Sequence, residues 1–195
     1  MSKHRSPFVA RILSSALLAA AGVRVPAILA SDAARGIMLL EDLGPRTLYE
    51  RRLSWSQRRV WFERAARTLA ALFAVDRDAV RALNPPLDET ALLRELEQTW
   101  TLYLEPRLRA HPALAADLRG AFGVACAAIG QQDLVVCHRD FMARNLVPLA
   151  DGQLAVLDHQ DLRLGPAAYD WASLLNDSLF APPELASALL DGHAA

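Results

Sequence analysis

Two short apolar runs, Leu146 to Leu149 and Leu154 to Leu157, are joined by Ala150-Asp151-Gly152-Gln153. An Asp-Gly pair between apolar runs is a strong hairpin signal, because tight turns need residues that tolerate positive φ. Pro148 cannot donate to a ladder, which puts the first strand at a sheet edge. Antiparallel pairing then brings the outer ends of the two strands together. The loop ending at Asn145 and the residues beginning at Asp158 must therefore be neighbours in space. Four polar residues stand at those ends, Asp140 and Asn145 before the hairpin, Asp158 and Asp161 after it.

An amide oxygen and a carboxylate that converge make a site suited to Mg²⁺, which takes one or two protein oxygens and completes its shell with phosphate and water. Asp140, five residues before Asn145, can lie close to that metal and point its carboxylate at an incoming hydroxyl. One Asp orienting a nucleophile while an Asn and a second Asp hold the metal is the arrangement used in phosphoryl transfer.

The remaining chain reads as mostly helical. A helix is expected from Pro7 to Ala21, stopped at Gly22, and the run Val23-Arg24-Val25-Pro26 turns extended, with a short strand to follow. Ile37 to Leu40 forms a buried strand, broken abruptly by Glu41-Asp42-Leu43-Gly44-Pro45, which reads as a hinge. Ser54 or Ser56 caps a long helix with Val60, Trp61, Ala65, Leu69, Leu72 and Phe73 on its inner side. After the Asn84-Pro85-Pro86 loop, Asp88 caps another helix, which Pro106 ends. Pro112 to Ile129, rich in Ala and Leu, reads as a buried central helix. Leu134 to Cys137 is extended, and Gly165-Pro166 precedes a final helix through Tyr169, Trp171, Leu174 and Leu175.

Composition narrows the function classes. Of 195 residues, 53% are hydrophobic and 22% charged, the balance of a folded chain with a substantial core. A net charge of −1 with dispersed positive residues gives no electrostatic footprint for nucleic acid. The apolar run Ile12 to Val23 is too short to span a bilayer, so no membrane partner is expected. Cys126 and Cys137 lack metal or disulfide spacing, which fits a reducing cytoplasm.

The segment His138-Arg139-Asp140-Phe141-Met142-Ala143-Arg144-Asn145 resembles the HxDxxxxN catalytic loop of the kinase-like superfamily. Asp158-His159-Gln160-Asp161, then Gly165-Pro166 and Tyr169-Asp170-Trp171, resemble the matching run of aminoglycoside phosphotransferase and choline kinase relatives, especially bacterial N-acetylmuramate/N-acetylglucosamine kinases. The resemblance implies an α+β, protein-kinase-like fold. Residues 1–44 would be the remnant of a small N-terminal lobe, and 45–195 a helical C-terminal lobe carrying the catalytic hairpin. It implies an ATP- and Mg²⁺-dependent transfer of the γ-phosphate to a small-molecule hydroxyl, a sugar or amino sugar. Asp140 would be the catalytic base, with His138 supporting its loop. Asn145 and Asp158 would bind Mg²⁺, and Leu40, Glu41, Asp42 and Leu43 would meet adenine through backbone groups. Asp170 would be a buried brace. Asp161 would assist metal or substrate, and Arg144 belongs to the same loop.

Departures from the family are equally specific. Lys3 is the only lysine, no glycine-rich phosphate loop precedes Pro7, and the helix from Pro7 to Gly22 has no acidic residue to pair a lysine. His159 stands where the family has an aromatic residue. Both ends look truncated against the family pattern, which opens a second reading, a kinase-like remnant that binds nucleotide or a partner without turnover. A third takes His138, Asp140, Asp158, His159 and Asp161 as ligands of a dinuclear metal hydrolase.

Overall fold

The computed structural model describes residues 7–192; Lys3 lies outside them. Helix α1 (Pro7–Ala20) ends at Gly22, whose φ of +77° suits a residue without Cβ. The Val23 N–H returns to the Leu18 carbonyl at 2.9 Å and the Gly22 N–H to Ala19 at 3.0 Å, so the helix closes on a Schellman motif. Strands β1 (Ile28–Asp32) and β2 (Ile37–Leu40) follow as an antiparallel pair.

Helix α2 (Trp55–Phe73) starts with a full capping box: Ser54 accepts from the Gln57 N–H while the Gln57 side chain accepts from Ser54. Its apolar stripe, Phe62, Ala65, Ala66, Leu69 and Leu72, is completely covered. The small Ala65 and Ala66 let neighbouring elements approach closely. This helix is the centre of the core. Around it lie α3 (Arg77–Leu83), β3 (Leu134–Cys137), the hairpin β4 (Leu146–Pro148) and β5 (Leu154–Val156), β6 (Arg163–Pro166), α7 (Ala168–Asn176) and α8 (Pro183–Asp191). Strand β3 pairs antiparallel with β6 and β4 with β5, and Arg24 bridges β5 on its other side, leaving β4 at the edge as Pro148 requires. Gly152, at φ +85°, makes the hairpin turn, and Arg64 of α2 donates to its carbonyl, tying the turn to the central helix.

Five expectations are corrected here. Strand β2 is not buried, since Ile37 and Leu39 are exposed, and Val60 lies on the outer side of α2. Pro106 does not end its helix. Helix α4 (Glu89–Thr99), capped by Asp88, runs on through a π turn at Trp100–Leu104 into α5 (Glu105–Leu108). The wider turn lets the Glu105 N–H reach the Trp100 carbonyl, so the chain passes a proline that cannot donate. Helix α6 (Pro112–Gly130) is peripheral rather than central: only Cys126 is buried, because α4 and α5 cover a single side. It is the one described helix long and apolar enough to cross a membrane by length and composition. Finally, α7 is not the last helix, since α8 folds back against α2. Leu185 and Leu189, four residues apart, give α8 the short buried stripe that holds it there.

Candidate active site

Strand β3 delivers His138, Arg139 and Asp140 into a loop whose backbone is strained. Arg139 has φ +83°, a left-handed conformation that costs a residue with Cβ about 1–2 kcal/mol. Asp170 of α7, almost fully buried, holds this turn: its two carboxylate oxygens accept the N–H groups of His138 at 2.6 Å and Arg139 at 2.9 Å. Burial nevertheless raises the Asp170 carboxyl to about 6, against the lowering effect of those two bonds.

His138 is completely buried. Its Nδ1 accepts the Asp140 N–H at 3.3 Å, which places the ring proton on Nε2, 2.8 Å from the Leu157 carbonyl. Burial lowers its pKa to about 4, so the ring stays neutral and ties the loop to the far end of the hairpin. Phe141 packs edge-on against it at 5.8 Å.

Asn145 closes the loop in a 3₁₀ turn, Ala143–Asn145. Its Nδ2 donates to the Asp140 carbonyl at 2.9 Å, leaving Oδ1 as the atom free to meet a cation. The hairpin register brings the Leu157 N–H to the Asn145 carbonyl at 2.8 Å. Asp158 follows at φ +61°, a conformation Asp tolerates better than most residues, with its carboxylate about half exposed. Asn145, Leu157, Asp158 and His159 line one cavity of about 280 Å³ together with Arg11, Ser15, Pro26 and Leu40. A hard carboxylate oxygen and an amide oxygen lining one cavity are the donor types that fit Mg²⁺. Burial raises the Asp140 carboxyl above its ordinary value; Asp158, Asp161 and Glu95 act in the same direction and Arg139 against it.

The other expected residues divide. Leu40 reaches the cavity, whereas the Glu41 N–H is taken by the Ala27 carbonyl and its carboxylate by Arg24 and the Ala27 N–H. Asp42 accepts from the Gly44 N–H, and Leu43 lines a separate cavity with Gly44 and Pro45. Asp161 lies 3.8 Å from Arg163. Arg144 turns outward, over the Tyr49 ring and onto Ser178. The dinuclear ligand set does not assemble: His138 is occupied by Leu157, and His159 bonds Ser15 at 2.7 Å. Among the described residues no three His, Cys, Asp or Glu side chains converge on a metal position. Arg11, Ser15 and Gln160 were not expected at the site. One signal for Arg11 was available, since it is the only charged residue of α1.

A model of the phosphotransferase enzyme family matches residues 3–194. The chain belongs to this family. A relative from Pseudomonas aeruginosa named N-acetylmuramate/N-acetylglucosamine kinase is 36% identical over 170 residues, covering 86% of this chain and 49% of the relative. The phosphotransferase chain thus spans about half the length of the curated relatives it matches. Its fold is protein-kinase-like and α+β. It superposes on the structure of the GDP and kanamycin complex of APH(2″)-IIia with TM-score 0.71 and 15% identity, over 97% of this chain and 69% of that one. A choline/ethanolamine kinase family protein from Mesorhizobium loti gives TM-score 0.68 at 19% identity, over 96% and 60%.

Proposed function

We propose that this phosphotransferase-family chain carries the catalytic half of an ATP-dependent small-molecule kinase, with a hydroxyl of a sugar or amino sugar as acceptor. The observation that carries the reading is that Asn145 and Asp158 line one cavity while the Asn145 amide is bonded to Asp140, whose carboxyl is more basic than usual. Asp140 is the general base: it orients the acceptor hydroxyl and takes its proton as the new O–P bond forms and the bond to the β,γ-bridging oxygen breaks. Asn145 Oδ1 and the Asp158 carboxylate would hold Mg²⁺, which when bound would neutralise developing phosphate charge. His138 and Asp170 are positioning residues that fix the Asp140 loop through its backbone. Leu40 borders the adenine end of the cavity, and Glu41, Asp42 and Leu43 continue the hinge away from it; the described part of residues 1–44 is the small-lobe side of the cleft and that of 45–195 the helical lobe. The amino-sugar acceptor rests on the names of the relatives. Two free, buried cysteines suit a cytoplasmic setting.

One observation favours the second reading, nucleotide binding without turnover: Lys3 is the sole lysine. A lost electrostatic contact to a reacting group commonly costs on the order of 10²–10³ in rate. The test compares the 195-residue chain with a version extended upstream to carry a glycine-rich loop and lysine, using ATP, Mg²⁺ and a panel of amino sugars and aminoglycosides. Transfer by the extended version, abolished by Asp140→Asn with an unchanged melting temperature, is the expected result. No transfer by the extended version to any acceptor overturns the kinase reading.

A further inference from the structure

Helix α1 contains no acidic residue, and its one charge, Arg11, projects into the cavity that holds Asn145 and Asp158. This guanidinium is held in place. Its Nη2 donates to Gln160 Oε1 at 2.6 Å and stands 3.7 Å from Asp158 Oδ1, while Gln160 Nε2 donates to that same oxygen at 2.7 Å. The Gln160 backbone is fixed in turn, its carbonyl accepting from Asn84 Nδ2 at 3.2 Å. One helical turn further on, Ser15 bonds the buried His159 ring at 2.7 Å, locking α1 against the 158–160 segment. Two consecutive residues after the hairpin thus grip the same face of α1 at its fourth-residue spacing.

The arrangement places a permanent cation next to the carboxylate of a candidate Mg²⁺ site, in the cavity that Asn145 and Asp158 line. Asp158 does not neutralise it closely, because at 3.7 Å and half exposed the pair is weakly coupled. Gln160, a neutral group, takes only one N–H. A guanidinium has five donors in a planar fork that matches phosphate oxygens, and the Arg11 side chain is about one-third exposed, so further donors remain accessible from the cavity.

We propose that Arg11 is a phosphate-binding residue of this chain: it takes non-bridging oxygens of the nucleotide's phosphate chain from the α1 side while Asn145 and Asp158 hold its metal from the hairpin side. Gln160 is the bracket that aims it. Rigid presentation lowers the entropy lost on binding, which is the physical use of a second-residue bracket. The inference rests on the nucleotide reading of the site above, and it assigns a charge to the phosphates that the chain's lysine content does not provide.

The experiment is equilibrium binding to the 195-residue chain. Isothermal titration is run with adenosine, ADP and ATP, each in Mg²⁺, for the unaltered chain, Arg11→Ala, Arg11→Lys and Gln160→Ala. Arg11→Ala is expected to weaken ATP by about tenfold to 100-fold, the scale of a charge-assisted hydrogen bond, with adenosine affinity unchanged. Arg11→Lys retains part of the ATP affinity, and Gln160→Ala loses a smaller part. Thermal melts establish that each variant is folded, and Arg11→Gln, which keeps a donor for Gln160, replaces the alanine variant if that one unfolds. If the unaltered chain binds ATP and Arg11→Ala binds it equally well, the proposal is overturned while the nucleotide reading stands. Parallel loss of adenosine and ATP also overturns it, making Arg11 a structural residue. If neither the unaltered chain nor the upstream-extended version binds any of the three, the nucleotide reading itself fails and takes the proposal with it.

Discussion

Helices α2 and α6 have the same length, 19 residues, and opposite fates. Helix α2 carries five charged residues, Arg58, Arg59, Glu63, Arg64 and Arg67, yet forms the centre of the core. Helix α6 carries two, Asp117 and Arg119, yet lies at the edge, with Leu114 and Val124 exposed. Apolar content therefore does not determine burial. A narrow stripe with charges on the other face tells a helix which side to bury, whereas a helix apolar all round takes whatever cover its neighbours offer. Around α2, strands and helices pack from several directions. Around α6, α4 and α5 supply one wall, anchored where Gly130 sits so close to Glu89 that a Cβ would meet its side chain at 2.8 Å.

The sharpest way to break this contrast is to cut into both helices. Phe62, wholly buried and edge-on to Trp55 at 5.4 Å, should cost about 3–5 kcal/mol when replaced by Ala, read from urea unfolding. A loss below about 1 kcal/mol would mean α2 is not the core's centre.

A second test uses pH, because the buried histidine and aspartate groups lie in the loop and hairpin segments and α7 rather than in α6. Burial lowers His138 and His159 to about 4 each. As pH falls through the free imidazole value of about 6.5, the unfolded chain takes protons that the folded chain refuses, so stability present above that pH is lost by about pH 4. Asp170, raised to about 6, works in the opposite sense, its protonation favouring the folded state between about pH 6 and 4. Asp140, also raised, acts in the same sense as Asp170, and the two imidazoles outweigh both, leaving a net loss on the order of 2–4 kcal/mol between about pH 7 and pH 4. Thermal melts across that range measure it; stability that rises on acidification would reverse the assignment of neutral, buried imidazoles.

Smaller effects separate the helices further. Ser54→Ala removes the cap of α2 and should cost about 1 kcal/mol in the same unfolding assay. Val124→Ser, on the open face of α6, should change stability by no more than about 0.5 kcal/mol. A larger loss would show that this face is covered in solution.

Much of the candidate site could be read without coordinates. The Asp151-Gly152 turn and the two apolar runs dictate a hairpin, and a hairpin obliges Asn145 and Asp158 to meet, because antiparallel pairing is local and its register follows from the turn. Helix caps were legible for the same reason: Ser54, Asp88 and Gly22 satisfy or terminate backbone groups within a few residues of themselves. The passage of α4 beyond Pro106 was less legible, since a π turn depends on how neighbouring turns pack as well as on the proline.

Contacts between distant segments needed the tertiary structure. Arg11 and Gln160 are separated by 149 positions, and Arg139 and Glu95 by 44, so no local periodicity reports that they touch. The pairing of β3 with β6 likewise joins segments across the whole 138–145 loop and the hairpin. Local rules fixed which residues could carry chemistry, through turn geometry, caps and the sterics of glycine and proline. Only the packing of α1 onto the 158–160 segment decided which cation faces Asp158, because that choice depends on how separate elements cover one another.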